Sequence, residues 1–304
     1  MGKDYRKYRD GSLHHVFCKA VDGNILFYSV QDCIFYLTLY YVLAKRYGIK
    51  TLAFGIMPNH VHSFERAPSL KKFNLFHCRL NSEFTQGYNK QHNRSGAVFM
   101  KPFGYAPKTV GKVIRDCISY IANNPVAGNQ VSRVEESKWN LVGYWKSDHP
   151  FSEKIQLEKV SRRMRRAVEK LRQYHRDNCP LDYTRQRELF KELTSKEKYQ
   201  LIDRIVSMYN CLDYDAAASY YNGDFANAII SISANSGKEH DVPDDYEDYS
   251  VYNKMIQIAT SCGIAPLTCN YENSPADMIN DLKNLFRKAG FQARQIQKFL
   301  HLKR

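Results

Sequence analysis

The sequence lacks the patterns that mark secreted, membrane-spanning or zinc-binding proteins. Its 304 residues include eight cysteines, but these are scattered along the chain and no C-x-x-C pair occurs. Such spacing predicts a reduced intracellular protein rather than a disulfide framework or a zinc module. The polar N-terminal stretch MGKDYRKYRDGS does not resemble a signal peptide, and no apolar run approaches membrane length. We therefore expect a soluble, cytoplasmic protein with no membrane partner.

Acidic residues are scarce in the first half of the chain. Residues 1–150 carry 21 Lys and Arg against 10 Asp and Glu, a net charge of +11, whereas residues 151–304 carry 24 against 21, a net charge of +3. Basic side chains attract phosphates, and aromatic rings stack on unpaired bases. The first half therefore favours a nucleic-acid partner, with general solubilising charge as the alternative. A glycine-rich loop that could cradle nucleotide phosphates is absent.

The first candidate site is a pair of histidines inside the apolar stretch Gly55–Phe64. His60 and His62 are separated by one residue, and residues i and i+2 of an extended strand project from the same face. Their imidazoles would lie side by side, with Val61 pointing into a core. Neutral imidazole is a common ligand of divalent cations, so the spacing is compatible with a metal site. Most His-x-His pairs, however, are ordinary surface or core residues.

The second candidate site lies about sixty residues downstream, in the stretch 110–128. Apolar residues recur there at helical spacing and form one stripe, comprising Val110, Ile114, Cys117, Ile118 and Ile121. Tyr120 and Asn124 are four residues apart, so a helix places a phenol and an amide together beside this stripe. Pro125 disfavours the helical conformation at Asn124 and predicts that the helix ends there. An ordinary half-buried tyrosine is the alternative, and position alone does not decide.

Together, the two stretches resemble the single-tyrosine HUH transposase superfamily, and most closely the REP-associated tyrosine transposases. The matching segments are MPNHVH at Met57–His62 and YIANNPV at Tyr120–Val126. They stand in the order of the family's motifs, and the similarity covers about residues 10–150. After His62 the sequence reads SFER, where the family has a more uniformly apolar strand. Glu65 is therefore a polar group without an assigned role.

The resemblance implies an enzyme that cleaves and rejoins single-stranded DNA next to a hairpin or palindromic repeat. It implies that His60 and His62 bind a divalent metal, Mg²⁺ or Mn²⁺, and that Asn124 can complete the metal site. Tyr120 would be the nucleophile, forming a 5′-phosphotyrosine and releasing a 3′-hydroxyl. A protonated phenol, with a pKa near 10, is a poor nucleophile, so a polarised phosphate is needed. The phosphotyrosine bond conserves energy for strand transfer, so no ATP is required.

Several basic residues of the first half are candidate DNA contacts, and the chain would act as a monomer or a homodimer. These residues are Lys71, Lys72, Arg79, Lys90, Arg94, Lys112 and Arg115. Two other functions remain open at this point. One is a non-catalytic nucleic-acid-binding regulator on the same fold. The other is a metal-dependent nuclease in which Glu65 acts as the base and Tyr120 only lines the site.

The pattern of elements predicts an α+β protein. Strands are expected at Ser12–Ala20, Ile49–Met57, Asn59–Arg66 and Ala97–Phe103, with helices at Gln31–Tyr47, at Ser69–Gln86 and around Tyr120. The resemblance implies a ferredoxin-like antiparallel sheet with helices on one face, forming an HUH catalytic domain over residues 1–151. Residues 152–304 are expected to form a mainly helical accessory region that contacts DNA, beginning with a long charged helix at Glu153–Asp177.

Overall fold

A computed structural model describes residues 8–100, 103–234, 248–264 and 275–302, and over these ranges the protein is α+β. Four strands form one sheet: β1 (Leu13–Lys19), β2 (Lys50–Met57), β3 (His60–Arg66) and β4 (Gly104–Lys108). The first helices are α1 (Val30–Tyr47), α2 (Leu70–Gln91) and α3 (Gly111–Ala127). The remaining described helices are α4 (Arg162–Arg176), α5 (Tyr183–Phe190), α6 (Ser195–Met208), α7 (Tyr214–Ala218), α8 (Phe225–Ala234), α9 (Ser250–Ser261), α10 (Ala276–Lys288) and α11 (Ala293–Leu300).

The sheet is antiparallel, in the strand order β2-β3-β1-β4, so β3 and β1 lie at its centre. Helices α1 and α2 pack on the face that carries Val16 and Val61. Helices α3, α7 and α8 pack on the opposite face, which carries Leu13 and Phe64. The expectation of helices on one face is therefore wrong, because helices cover both faces and the tyrosine helix lies across the sheet from α1 and α2.

Local signals set the ends of the first two helices. The hydroxyl of Ser29 accepts a hydrogen bond from the backbone of Asp32, whose carboxylate accepts one in return, so α1 begins with a reciprocal cap. Gly48 ends α1 at a φ of 71°, a left-handed conformation that is least costly for glycine. Ser69 caps α2 through the backbone N–H of Lys72.

Several predicted boundaries differ from the structure; α2, for example, runs to Gln91 instead of Gln86. The fourth strand is Gly104–Lys108, an edge strand that tolerates the missing N–H of Pro107. Of the strand predicted at 97–103, Phe99 forms only an isolated bridge with Ala20, and residues 101 and 102 lie outside the described part of the chain. Helix α3 continues through Pro125 to Ala127, because a proline near the C-terminal end removes only one helical bond. Helix α4 begins at Arg162 instead of Glu153, because Ser161 caps it through the N–H of Met164, 3.0 Å away.

The helices after residue 152 share hydrophobic clusters with the first half of the chain. Helices α4 to α6 pack with Ile34 and Val42 of α1, and α7 and α8 pack against α3. Helices α9 to α11 surround Ile25, Tyr28 and Met57. The C-terminal helices therefore pack against the first half of the chain, and α9 to α11 lie near the β2–β3 turn. None of the described helices is both long and apolar enough to cross a bilayer.

Candidate active site

His60 and His62 lie on β3 and face α3. Their ring centroids are 4.7 Å apart, with the ring planes nearly perpendicular. Both side chains are buried, as expected for residues near the centre of a covered sheet. The alternation of the strand thus brings the two imidazoles together on one face, as their spacing predicts.

Each histidine is held through its Nδ1 atom. The Nδ2 of Asn59 donates to the carbonyl of Gly23 at 3.2 Å, so the Oδ1 of Asn59 faces His60 and lies 2.6 Å from its Nδ1. An amide oxygen only accepts hydrogen bonds, so Nδ1 of His60 carries the proton. Nδ1 of His62 lies 2.8 Å from Nε2 of His15, a residue on the adjacent strand β1. In both rings the Nε2 atom is left for another partner.

Tyr120 projects from α3 onto the same group of rings. Its ring packs edge-on against His62, with centroids 5.4 Å apart, and against His15 at 5.6 Å. Tyr120 is only 2% exposed, deeper than the half-buried helix edge that its position beside the apolar stripe predicts. Asn124 follows one turn later on α3 and is also buried. The structure therefore brings His60, His62 and Tyr120 together and places Asn124 on the same helix as the tyrosine.

Four buried polar atoms at these residues have no hydrogen-bond partner. They are Nε2 of His60, Nε2 of His62, the hydroxyl of Tyr120 and Nδ2 of Asn124, out of eleven such atoms in the part of the chain that the structure describes. A buried polar atom without a partner costs about 1–3 kcal/mol, and four of the eleven belong to the candidate site residues, so these residues are suited to bind a further group. The amide of Asn124 can rotate to present its oxygen in place of its nitrogen. These atoms fit a site for a divalent cation.

The electrostatics of the site keep both imidazoles neutral at neutral pH. Burial, reinforced by the positive charges of Lys19 and Lys298, lowers the pKa of His60 to about 3. Burial also holds the pKa of His62 well below its ordinary value, with further lowering by its interactions with His60 and His15. Neutral imidazole has the lone pair that a metal ligand needs.

No cluster of three or more His, Cys, Asp or Glu suited to a metal ion occurs among residues 8–100, 103–234, 248–264 and 275–302. A cation held by His60 and His62 therefore needs an amide such as that of Asn124, water or substrate oxygens as further ligands. Magnesium and manganese commonly complete their shells with water and phosphate oxygens. The small number of protein ligands is thus compatible with a site that binds a phosphate.

The predicted DNA contacts divide between two sides of the sheet. Lys112 and Arg115 are exposed on α3, the helix that carries Tyr120. The other five lie on α2 or just after it, on the side of the sheet opposite the histidines; they are Lys71, Lys72, Arg79, Lys90 and Arg94. Arg79 pairs with Glu83 at 3.3 Å. Of the seven predicted DNA contacts, the structure therefore places only Lys112 and Arg115 on the same side of the sheet as the histidines.

Glu65 lies on the opposite face of the sheet from His60 and His62. Its carboxylate accepts hydrogen bonds from the hydroxyls of Tyr40 at 2.7 Å and Ser63 at 2.8 Å, and it lies 2.6 Å from Nε2 of His77. Burial alone would raise the pKa of Glu65, but the interactions with His77, Tyr40 and Ser63 outweigh burial and lower it. Glu65 is therefore a structural anion, and the interpretation of Glu65 as a nuclease base at the histidine site is wrong.

We expect Glu65→Ala to lower the free energy of unfolding by about 3–5 kcal/mol, since it leaves several buried donors without an acceptor. The measurement is urea unfolding of the parent and the variant. Glu83→Ala is the matched control, because it removes a carboxylate from a surface ion pair worth no more than about 1 kcal/mol. Equal losses in the two variants would contradict the buried role of Glu65.

Sequence reasoning missed three residues around the site. His15 is brought beside His62 by the pairing of β1 with β3, and Lys298 reaches His60 electrostatically from α11. Tyr249 lies just before α9, with its ring 6.0 Å from that of His60 and its N–H bonded to the carbonyl of Gly128. Strand alternation alone places His15 on one face of β1, but only the sheet register shows which residue it meets.

Comparison with known proteins finds one structural likeness. No family model and no curated protein matches the chain. A solved structure of a REP-associated tyrosine transposase bound to a REP hairpin is similar to this chain with 17% sequence identity and a TM-score of 0.40. The similarity covers 46% of this chain and 82% of the other. Similarity at this level does not assign the chain to a family.

Proposed function

We propose that this protein is a metal-dependent enzyme that cleaves single-stranded DNA through Tyr120 and transfers the cleaved strand. The observation that carries the proposal is the buried meeting of two neutral imidazoles and a phenol, with Nε2 of His60, Nε2 of His62 and the Tyr120 hydroxyl all without a partner. Two nitrogen ligands beside an oxygen nucleophile suit phosphoryl transfer, in which a cation stabilises charge on the phosphate.

Each site residue has a defined part in the proposed reaction. His60 and His62 would hold Mg²⁺ or Mn²⁺ through Nε2, and the amide of Asn124 would be the third protein ligand. When bound, the cation polarises the scissile phosphate and stabilises the charge that develops on it. The oxygen of Tyr120 attacks phosphorus while the bond from phosphorus to the 3′-oxygen breaks. The proton lost by the phenol balances the one gained by the departing 3′-oxygen, which leaves as a hydroxyl. Attack by another 3′-hydroxyl reverses the step and joins a new strand.

The order of elements and the charge distribution support the same proposal. The chain runs β-α-β-β-α-β from β1 to β4, with strand order β2-β3-β1-β4, and this order supports our proposal of a ferredoxin-like core. We propose that residues 1–151 form an HUH-type catalytic domain and that residues 152–304 are an accessory region. The net charge of +11 in residues 1–150 suits a partner with a phosphate backbone.

The burial of the site bears on the form of the substrate. His60 is 5% exposed and Tyr120 is 2% exposed, so a phosphate reaches them only when covering groups such as Tyr249 move. A single strand is flexible enough to bend its backbone into such a site, and its unpaired bases can stack on aromatic rings. A rigid duplex offers neither property. We therefore propose single-stranded DNA as the substrate, and the resemblance of the two sequence motifs to those of the REP-associated tyrosine transposases adds a hairpin beside the cleaved phosphate.

We expect cleavage of a single strand that flanks a hairpin to be faster than cleavage of the same sequence as a full duplex. The assay incubates both forms with Mn²⁺, separates products on denaturing gels and detects protein joined covalently to the 5′ end. A single strand with a scrambled palindrome is the matched control for the hairpin. Because binding releases counterions, affinity should fall by about tenfold or more between about 50 and 200 mM salt.

Two outcomes would contradict parts of this proposal. Equal or better cutting of the duplex would overturn the single-strand assignment and favour an ordinary nuclease. Tight binding of the hairpin without any cleavage or covalent product would instead favour a non-catalytic regulator on the same fold.

A further inference from the structure

His15 is a buried histidine with no part in the reaction proposed above. It is 1% exposed, and its ring plane is inclined by 29° to that of His62, with the two ring centroids 5.0 Å apart. Its Nε2 lies 2.8 Å from Nδ1 of His62, and its ring also meets the edge of Tyr120. Burying an imidazole at such a position costs more than burying an apolar side chain unless its hydrogen bonds are made. The hydrogen bond with His62 therefore offsets part of the cost of burying His15.

The hydrogen bond between His15 and His62 has two possible directions, and only one leaves His62 able to bind a cation. If Nε2 of His15 donates, a neutral His62 carries its proton on Nε2, and this nitrogen has no lone pair for a metal. If Nδ1 of His62 donates, its Nε2 keeps the lone pair. We propose that His15 is a positioning residue that accepts the Nδ1 proton of His62 and so keeps Nε2 of His62 available to the metal.

Asn59 provides the same arrangement for His60 by different chemistry. Its amide orientation is set by the bond from Nδ2 to the carbonyl of Gly23, so its oxygen accepts the Nδ1 proton of His60. The two partners come from different elements, since His15 lies on β1 and Asn59 lies in the β2–β3 turn. The structure thus supplies an acceptor at Nδ1 of each imidazole, and both Nε2 atoms are buried without a partner.

This inference rests on the proposed metal site but can be tested without DNA. The first measurement is long-range ¹⁵N–¹H NMR of the metal-free protein with labelled histidine, in which the nitrogen shifts show which ring atom carries the proton. Loss of signals in His60→Ala and His62→Ala assigns the two rings. The parent should show His60 and His62 protonated at Nδ1.

The second measurement is Mn²⁺ affinity, followed by the electron paramagnetic resonance signal of the free ion. His15→Leu keeps a side chain of similar volume but removes the Nε2 atom that accepts the proton of His62. His62 should then lose its fixed protonation at Nδ1, and the Mn²⁺ affinity should fall about 10–100-fold. His15→Gln places an amide oxygen near the former Nε2, so both properties should stay close to those of the parent. His15→Asn has an amide too short to reach His62 and should resemble His15→Leu.

The outcomes separate this inference from the proposed function. A folded His15→Leu variant with parental Mn²⁺ affinity and an unchanged His62 would overturn the role of His15, whatever the DNA assays show. If His15→Leu does not fold, the contrast between His15→Gln and His15→Asn decides, and equal Mn²⁺ affinities in these two variants would overturn the role as well. If the NMR and Mn²⁺ results are as expected but the protein cleaves no DNA, the positioning role of His15 stands and the proposed function is contradicted.

Discussion

Tyr120→Phe should abolish the covalent protein–DNA product and reduce strand cleavage by about 10⁴-fold or more, because it removes the only atom that we propose to attack phosphorus. The phenyl ring retains the edge-on contacts with His62 and His15. The Tyr120 hydroxyl has no hydrogen-bond partner, so its removal costs no bond in the folded protein. We therefore expect unchanged stability and nearly unchanged DNA binding.

Tyr40→Phe is the matched control for this variant. Tyr40 is also fully buried, but its hydroxyl donates to Glu65 at 2.7 Å and lies 2.9 Å from the hydroxyl of Thr51, on the side of the sheet away from the histidines. Its loss leaves buried groups without a partner and should cost about 1–3 kcal/mol of stability without affecting cleavage. The two tyrosines should thus show opposite effects, which are measured by denaturant unfolding and by the covalent-adduct gel. Full cleavage by Tyr120→Phe would rule out Tyr120 as the nucleophile.

Strand alternation in the sequence predicts part of this site. Residues two apart in a strand share a face, and this alternation brings His60 and His62 together in the structure. The same rule places Glu65, three residues after His62, on the other face, so the Glu65 nuclease hypothesis conflicts with the alternation that supports the metal pair. The α+β class and the first three strands follow from similarly local signals, namely helix caps and period-two patterns.

Features that depend on distant contacts are not predictable in this way. His15 meets His62 only because β1 pairs with β3 in a particular register, which the sequence of either strand does not reveal. Strand β4 contains both Gly104 and Pro107, residues that local propensity counts against a strand. A side chain at position 104 would clash with the ring of Phe17 on β1, which lies 2.0 Å from where a Cβ would stand, so glycine suits this strand position.

The position of the C-terminal helices is a second feature of this kind. Tyr249 approaches His60 because Tyr249 and helices α9 to α11 form a shared hydrophobic cluster with Ile25, Tyr28 and Met57. The hydroxyl of Tyr28 also donates to the carbonyl of Phe299 at 2.5 Å, which anchors α11 to the sheet half. These contacts join residues far apart in the chain, from 189 positions for His60 and Tyr249 to 271 for Tyr28 and Phe299, and no periodic pattern links them. The covering of the site could therefore be found only from the structure.

The double variant His60→Ala with His62→Ala should remove both metal binding and metal-dependent cleavage. We expect cleavage to fall by at least about 10³-fold, because neither Nε2 remains to hold the cation that polarises the phosphate. Mn²⁺ present at about 100 times its dissociation constant should stabilise the parent by about 2.7 kcal/mol and leave the double variant unaffected. The measurements are Mn²⁺-dependent thermal unfolding and cleavage of the hairpin-flanked strand.

The same substitutions also remove two buried rings and the hydrogen bonds that these rings share with Asn59 and His15, so a lower intrinsic stability is expected and does not by itself support the metal role. His14→Ala is the control, because His14 is fully buried on β1 but points to the other face of the sheet, where it stacks on Tyr8. This variant should lose stability yet keep the Mn²⁺-dependent shift and the cleavage. If the double variant still cuts DNA in Mn²⁺ as well as the parent does, the metal assignment is wrong, and the unpartnered imidazoles require another explanation.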